Sequence, residues 1–67
     1  MALIDKFAAN LRSARTTRKL SQGELAKKAK ISISYVSMLE RGQRSPPLET
    51  LESVAKALHI PPVNLLR

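Results

Sequence analysis

Two helix-start signals lie only eleven residues apart, and this spacing limits the fold more than any other feature of the chain. In the first, Ser21 is followed three residues later by Glu24. This is the pattern of a capping box, in which the two side chains satisfy free N–H groups of a helix's first turn. The second is Ser32, a good N-cap residue. A helix that begins at Gln22 must end before Ser32, so the sequence predicts two short helices joined by a turn of about three residues.

The second of these segments, ISISYVSMLERG at 31–42, also shows a strand-like pattern, because its first five residues alternate apolar and polar. No other segment alternates, however, so a strand here would have no partner. Gly42 ends the run and suits the left-handed stop of a helix. We therefore interpret residues 33–41 as a helix that buries Val36 and Leu39. Its opposite face carries Ser34, Ser37, Met38 and Arg41.

The rest of the chain has the apolar spacing of further helices. Apolar residues three and four apart predict one helix over residues 5–18 and another over residues 48–58. Pro61 and Pro62 suit the first turn of a short fifth helix. The sequence therefore predicts an all-α fold, a single domain over residues 1–67 with five helices.

Several classes of protein are disfavoured by what the sequence lacks. It has no cysteine and one histidine, His59, so neither a disulfide framework nor a cysteine or histidine metal cluster is expected. No apolar run approaches the roughly 20 residues of a membrane span, and Asp5 and Lys6 interrupt the stretch where a signal peptide would be apolar. No general acid–base pair is evident. We expect a soluble, cytoplasmic protein that is not an enzyme, with no cofactor, no metal and no evident small-molecule ligand.

Positive charge is concentrated in the middle of the chain. The stretch from Arg12 to Arg44 holds nine of the twelve basic residues and two of the five acids, so the whole net charge of +7 lies there. Such a field suits a polyanion, most often nucleic acid, although it also serves as a solvated surface. Because the charge surrounds the two short helices, and a projecting helix fits the major groove of DNA, the two features together favour DNA binding.

The residues that carry these features resemble the lambda-repressor-like helix-turn-helix family of phage repressors, Cro proteins and XRE-type bacterial regulators. The resemblance extends over residues 7–66, in the segments LRSAR, LSQGELAKKAKISISYVSMLERG and PLETLESVAKALHIPP. It implies a compact five-helix domain with its helix-turn-helix at about residues 21–41. It also implies a sequence-specific regulator of transcription, most often a repressor, that binds operator DNA.

The resemblance also assigns roles to individual residues. It implies base reading by one face of the third helix: Ile33, Ser34, Tyr35, Ser37 and Met38. It implies contacts with the DNA backbone from Gln22, Arg41 and Arg44, and Lys27 is open between a phosphate contact and simple solvation. It further implies an ion pair between Arg15 and Glu40. Two plainer interpretations stay open, in which Ile33 belongs to the core and the serines form an ordinary solvated face.

The sequence departs from the family pattern at two sets of positions. Lys19, Lys30 and His59 stand where glycine is common. A left-handed backbone there costs about 1 kcal/mol more than it would for glycine, unless the turns are reshaped. The base-reading positions also lack the glutamine, asparagine or arginine of bidentate readout. We therefore expect specificity from thymine methyl contacts, hydroxyl groups and DNA shape.

Assembly follows from the amount of DNA that one helix can read. A single recognition helix covers too few base pairs to find one genomic site, so we expect a homodimer on a near-palindrome with half-sites about 34 Å apart. The expected dimer surface is the apolar C-terminal end, with Ile60, Val63, Leu65 and Leu66, although the last two could instead close the core. The alternative function is a protein-interaction module, such as an antitoxin or co-regulator. A membrane binder is disfavoured, because lysines and leucines lie on different helices.

Overall fold

Four α-helices and one 3-10 turn make up the computed structural model, which describes residues 2–67. The elements are α1 (Leu3–Thr17), α2 (Gln22–Ala29), α3 (Ile33–Glu40), α4 (Leu48–Ala57) and the 3-10 turn Pro62–Leu65. No strand occurs in this part of the chain, so the all-α prediction is confirmed. None of the helices in residues 2–67 is long and apolar enough to cross a bilayer.

The predicted short fifth helix is wrong in type, because its place is taken by a single 3-10 turn of four residues. Pro61 and Pro62 do suit a helix start, since the N–H groups of a first turn have no partner inside the helix, but the element ends at Leu65 after only four residues. The bonds that form are the shorter i to i+3 kind. The Asn64 N–H donates to the Pro61 carbonyl and the Leu66 N–H to the Val63 carbonyl, both at 3.0 Å.

The core takes side chains from all five elements. α2 packs against α3 and α4, while α1 packs against α3 and the 3-10 turn. The largest fully buried side chains are Phe7, Leu11, Leu25, Val36, Leu39, Val54, Leu58 and Leu65. Leu3, in contrast, is 60% exposed. α1 begins at Leu3, two residues before the predicted start. Its first turn lies outside the core, because Leu3 is exposed.

Each of the four α-helices is followed, one to two residues after its last residue, by a residue in the left-handed conformation. Lys19, Lys30 and His59 have φ values of 57°, 61° and 58°, and Gly42 has 71°. The three non-glycine residues thus keep the glycine-like conformation, and the turns are not reshaped. The residue that follows each of them is apolar and packs on the core: Leu20, Ile31 and Ile60. This is the usual hydrophobic contact beside a left-handed helix end, and it holds the strained residue in place.

Candidate nucleic-acid interface

Both helices of the helix-turn-helix begin at capped serines. The Ser21 Oγ accepts from the Glu24 N–H at 3.0 Å, and the Glu24 carboxylate accepts from the Ser21 N–H at 2.7 Å. Hydrogen bonds to its carboxylate, from the Ser21 backbone N–H first and then from the Ser21 side chain, lower the pKa of Glu24. At the next helix, the Ser32 Oγ accepts from the Tyr35 N–H at 3.0 Å. The predicted starts of α2 and α3 are therefore confirmed.

The turn between the two helices is short because Lys30 is left-handed, with φ 61° and ψ 42°. This conformation lets the Ile31 N–H donate to the Ala26 carbonyl at 3.0 Å. Ile31 then packs against the core. The turn thus sets the direction in which α3 leaves α2.

The outer face of α3 and the start of α2 form one shallow depression. Its residues are Gln22, Ile33, Ser34, Ser37, Met38 and Arg41. Ile33 is 55% exposed, so the interpretation of this side chain as a core residue is wrong. Ser34 and Arg41 are exposed, and Ser37 and Met38 are half-buried. The surface therefore presents two apolar side chains, two hydroxyl groups, an amide and a guanidinium side by side.

Three other residues assigned to DNA lie outside this depression. Tyr35 is half-buried and packs against the hydrophobic core, which leaves only part of its ring at the surface. Lys27 is exposed on α2, and Arg44 is exposed in the loop after α3. Lys27 and Arg44 are close in the chain to residues of the depression, but their own side chains do not line it.

Behind the depression, Glu40 is the one charged residue of residues 2–67 that is buried. Its carboxylate accepts from Arg15 Nε at 2.5 Å and from Arg15 Nη2 at 3.0 Å. Arg15 Nη1 also donates to the Leu20 carbonyl at 2.7 Å. The bidentate pair therefore joins α1 and the loop before α2 to the end of α3, and it fixes the position of the helix that carries the depression.

Gln22 connects the same carboxylate to the start of α2, since its Nε2 donates to Glu40 Oε1 at 3.1 Å. Burial raises the pKa of Glu40, but the hydrogen bonds from Arg15 and Gln22 and the nearby guanidinium charges outweigh burial and leave that pKa lowered. Glu40 is thus held as an anion. One N–H of the Gln22 amide is occupied inside the protein, and the other is free to reach outward.

Two residues of this region were not identified from the sequence. Arg12 lies one turn before Arg15, with its Nε 3.9 Å from Glu40 and its side chain 62% exposed. The three-residue spacing of the two arginines is the signal that could have identified it. The other residue is Gly23, where an added Cβ would lie 3.4 Å from Ile33 Cδ1. A methyl group there would make an ordinary van der Waals contact with Ile33, which lies over the start of α2.

The residues expected at a dimer surface separate into two groups. Leu65 is fully buried, so its assignment to a dimer surface is wrong. It fills the core between α1 and α4, and the Asn10 amide donates to its carbonyl at 3.1 Å. Val63 is 50% exposed, and Ile60 and Leu66 are half-buried. Three apolar side chains near the C-terminal end therefore keep exposed area, without Leu65.

Known proteins with similar sequences are bacterial and phage regulators. The immunity repressor protein of Bacillus phage phi105 is 48% identical over 50 residues, which is 75% of this chain and 35% of the repressor. The HTH-type transcriptional regulator DdrOP3 of Deinococcus deserti is 43% identical over 61 residues, 91% of this chain and 47% of the regulator. The chain thus spans between about a third and a half of the length of these relatives.

Solved structures agree with this similarity. The restriction-modification controller protein C.AhdI from Aeromonas hydrophila superposes with a TM-score of 0.90 at 42% identity, covering 92% of this chain and 94% of that one. The controller protein C.Esp1396I, bound to a 25 base pair operator site, gives a TM-score of 0.87 at 26% identity, covering 97% and 86%. The helix-turn-helix family model HTH_3 matches residues 11–65. The chain therefore belongs to the lambda-repressor-like helix-turn-helix family.

Proposed function

We propose that the chain is a sequence-specific double-stranded DNA-binding regulator of transcription, a repressor that places α3 in the major groove of a near-palindromic operator. The observation that carries the proposal is the depression formed by α3 and the start of α2. It presents Ile33 and Met38 beside two serine hydroxyl groups, on the stretch that holds the whole net charge of +7. The relatives named as repressors and regulators support the same conclusion. Such a regulator acts in the cytoplasm of a bacterium, where its operator lies.

The proposed contacts follow from the chemistry of each side chain. Ile33 and Met38 suit thymine methyl groups, and Ser34 and Ser37 can donate to or accept from base edges. Tyr35 is half-buried on the same helix, and its exposed part suits a contact at the flank of the site. The phosphate contacts fall to residues on either side of the reading face: Gln22, Lys27, Arg41 and Arg44. Phosphate contacts orient the helix, and base contacts specify the site.

A second copy completes the proposed binding unit. We infer that two chains associate through the apolar side chains of Ile60, Val63 and Leu66, which keep exposed area on the 3-10 turn and beside it. Two chains related by a two-fold axis present two α3 helices to half-sites about 34 Å apart. The exposed area is small, so we expect a weak dimer that DNA strengthens.

Selection of bound duplexes from a random pool tests the function. We expect a near-palindrome to be enriched. Neutralising about six phosphates per dimer predicts that log K falls with log salt at a slope of about −5. The matched control for charge is Lys6→Gln, which removes one cation from α1 outside the depression, and we expect it to keep the selected sequence. No enriched sequence together with a slope near zero would refute DNA binding and favour a protein-interaction module.

A further inference from the structure

A second concave surface lies between the C-terminal ends of α2 and α4, away from the depression on α3. Four basic residues line it: Lys28, Lys30, Lys56 and His59. The small residues Ala29 and Ala57 line it more deeply. Its volume is about 470 Å³, within the range of small-molecule sites. We call this surface the basic cleft.

The basic cleft carries an excess of positive charge, although Lys28 lies near enough to Glu24 for their charges to interact. No carboxylate lines it, and the ion pairs found within residues 2–67 join Glu40 to Arg12 and Arg15 only. The ends of α2 and α4 contribute about half a unit of negative charge each. The three lysines exceed the charge of the two helix ends and of Glu24 together, so the cleft attracts anions.

The left-handed residues that follow α2 and α4 both lie at the basic cleft. Lys30 and His59 are both left-handed, a conformation that costs about 1 kcal/mol more than it would for glycine. Both of these strained residues line the basic cleft. Lys19 has the same conformation after α1 but lies outside the cleft, so the conformation by itself marks the end of a helix. Two basic side chains are kept at the edge of one cleft at positions where glycine would be more stable.

We propose that the basic cleft binds a small, multiply charged phosphate compound of the pyrophosphate or nucleoside polyphosphate class. Lysine ammonium groups bind phosphate as point charges, and three of them match an anion that carries several charges. The cleft lies at the opposite end of α2 from Gln22. That separation is about 10 Å along an eight-residue helix. The cleft is thus distinct from the surface proposed to meet DNA, and the inference does not depend on that proposal.

Calorimetric titration of the full chain with inorganic pyrophosphate tests the inference. We expect saturable binding of one anion per chain. Lys56→Gln and Lys30→Gly should each weaken it about fivefold or more. Fivefold corresponds to about 1 kcal/mol, the energy of two unit charges about 4 Å apart in water. Lys30→Gly should also raise the melting temperature without ligand, because it relieves the left-handed strain, so weaker binding cannot be ascribed to misfolding.

Lys19→Gly is the matched control. Lys19 is an exposed, left-handed lysine like Lys30, but it does not line the cleft. We expect this variant to gain stability and keep the affinity for pyrophosphate. Equal losses in the two glycine variants would overturn the site, as would loss of binding in Arg41→Gln or no heat at millimolar pyrophosphate. If Lys30→Gly and Lys56→Gln instead weaken duplex DNA binding while pyrophosphate does not bind, the basic cleft contacts the phosphates of DNA and the inference is wrong.

Discussion

Replacing Glu40 by glutamine should be the most informative single change, because one buried carboxylate joins three helices. The side chain of Glu40 is 1% exposed and that of Arg15 14%. Glu40→Gln leaves the guanidinium without its bidentate anion. Removing one partner of a buried pair costs about 3–5 kcal/mol, and the partial exposure of Arg15 places the effect near the lower value. For a domain of this size, about 3 kcal/mol corresponds to a decrease of roughly 15 °C in melting temperature.

A double-mutant cycle measured by urea denaturation isolates the pair. Glu40→Gln, Arg15→Met and the double variant should show a coupling free energy of about 2 kcal/mol, since the double variant no longer buries an unpaired charge. The matched control is Glu49→Gln, which removes an exposed carboxylate from the first turn of α4 and should cost about 0.5 kcal/mol or less. Additive free energies would refute the interaction, and so would a loss for Glu40→Gln no larger than that of the control.

The pH dependence of stability tests the same ion pair, because the direction of the change with pH can be predicted. The pKa of Glu40 is below its ordinary value near 4.5 in the folded chain, so its stabilisation is complete above the unfolded pKa and is lost as pH falls through the folded pKa. In Arg15→Met, burial is no longer outweighed, and the pKa of Glu40 should move above the ordinary value. Its contribution then reverses, so that stability grows as pH falls from 7 toward 5. Parallel pH profiles of the two proteins would contradict this explanation.

Three further outcomes are expected. Arg41→Gln should weaken binding to all duplexes alike and reduce the salt slope by about 2 per dimer, whereas Met38→Ala should change the sequence selected from a random pool; equal effects of the two on site preference would exclude α3 as the reader. Gly42→Ala should lower the unfolding free energy by about 1 kcal/mol or more in urea denaturation, because alanine is strained at φ 71°; an unchanged midpoint would show that the turn rearranges. Val63→Asp should shift sedimentation toward the monomer without changing the melting temperature of that monomer, and an unchanged dimer would place the interface elsewhere.

The sequence alone determined the features that depend on contacts between near neighbours in the chain. The starts of α2 and α3 follow from Ser21 and Ser32, whose hydroxyl groups accept from the N–H three residues later, so nothing distant is needed to predict them. The stop at Gly42 is equally local. The ion pair of Arg15 and Glu40 was expected from family resemblance alone, because its partners are 25 residues apart.

Only the tertiary structure decided which apolar side chains are buried against another element and which stay at the surface. Periodicity could not tell whether Leu65 closes the core or stays at the surface, since that depends on how the 3-10 turn lies against α1 and α4. Likewise, the outward position of Ile33 and the packing of Tyr35 on the core follow from the angle that the left-handed Lys30 sets between α2 and α3. The basic cleft brings together residues of two helices far apart in the chain. Packing between distant segments creates such surfaces, and a local pattern carries no information about it.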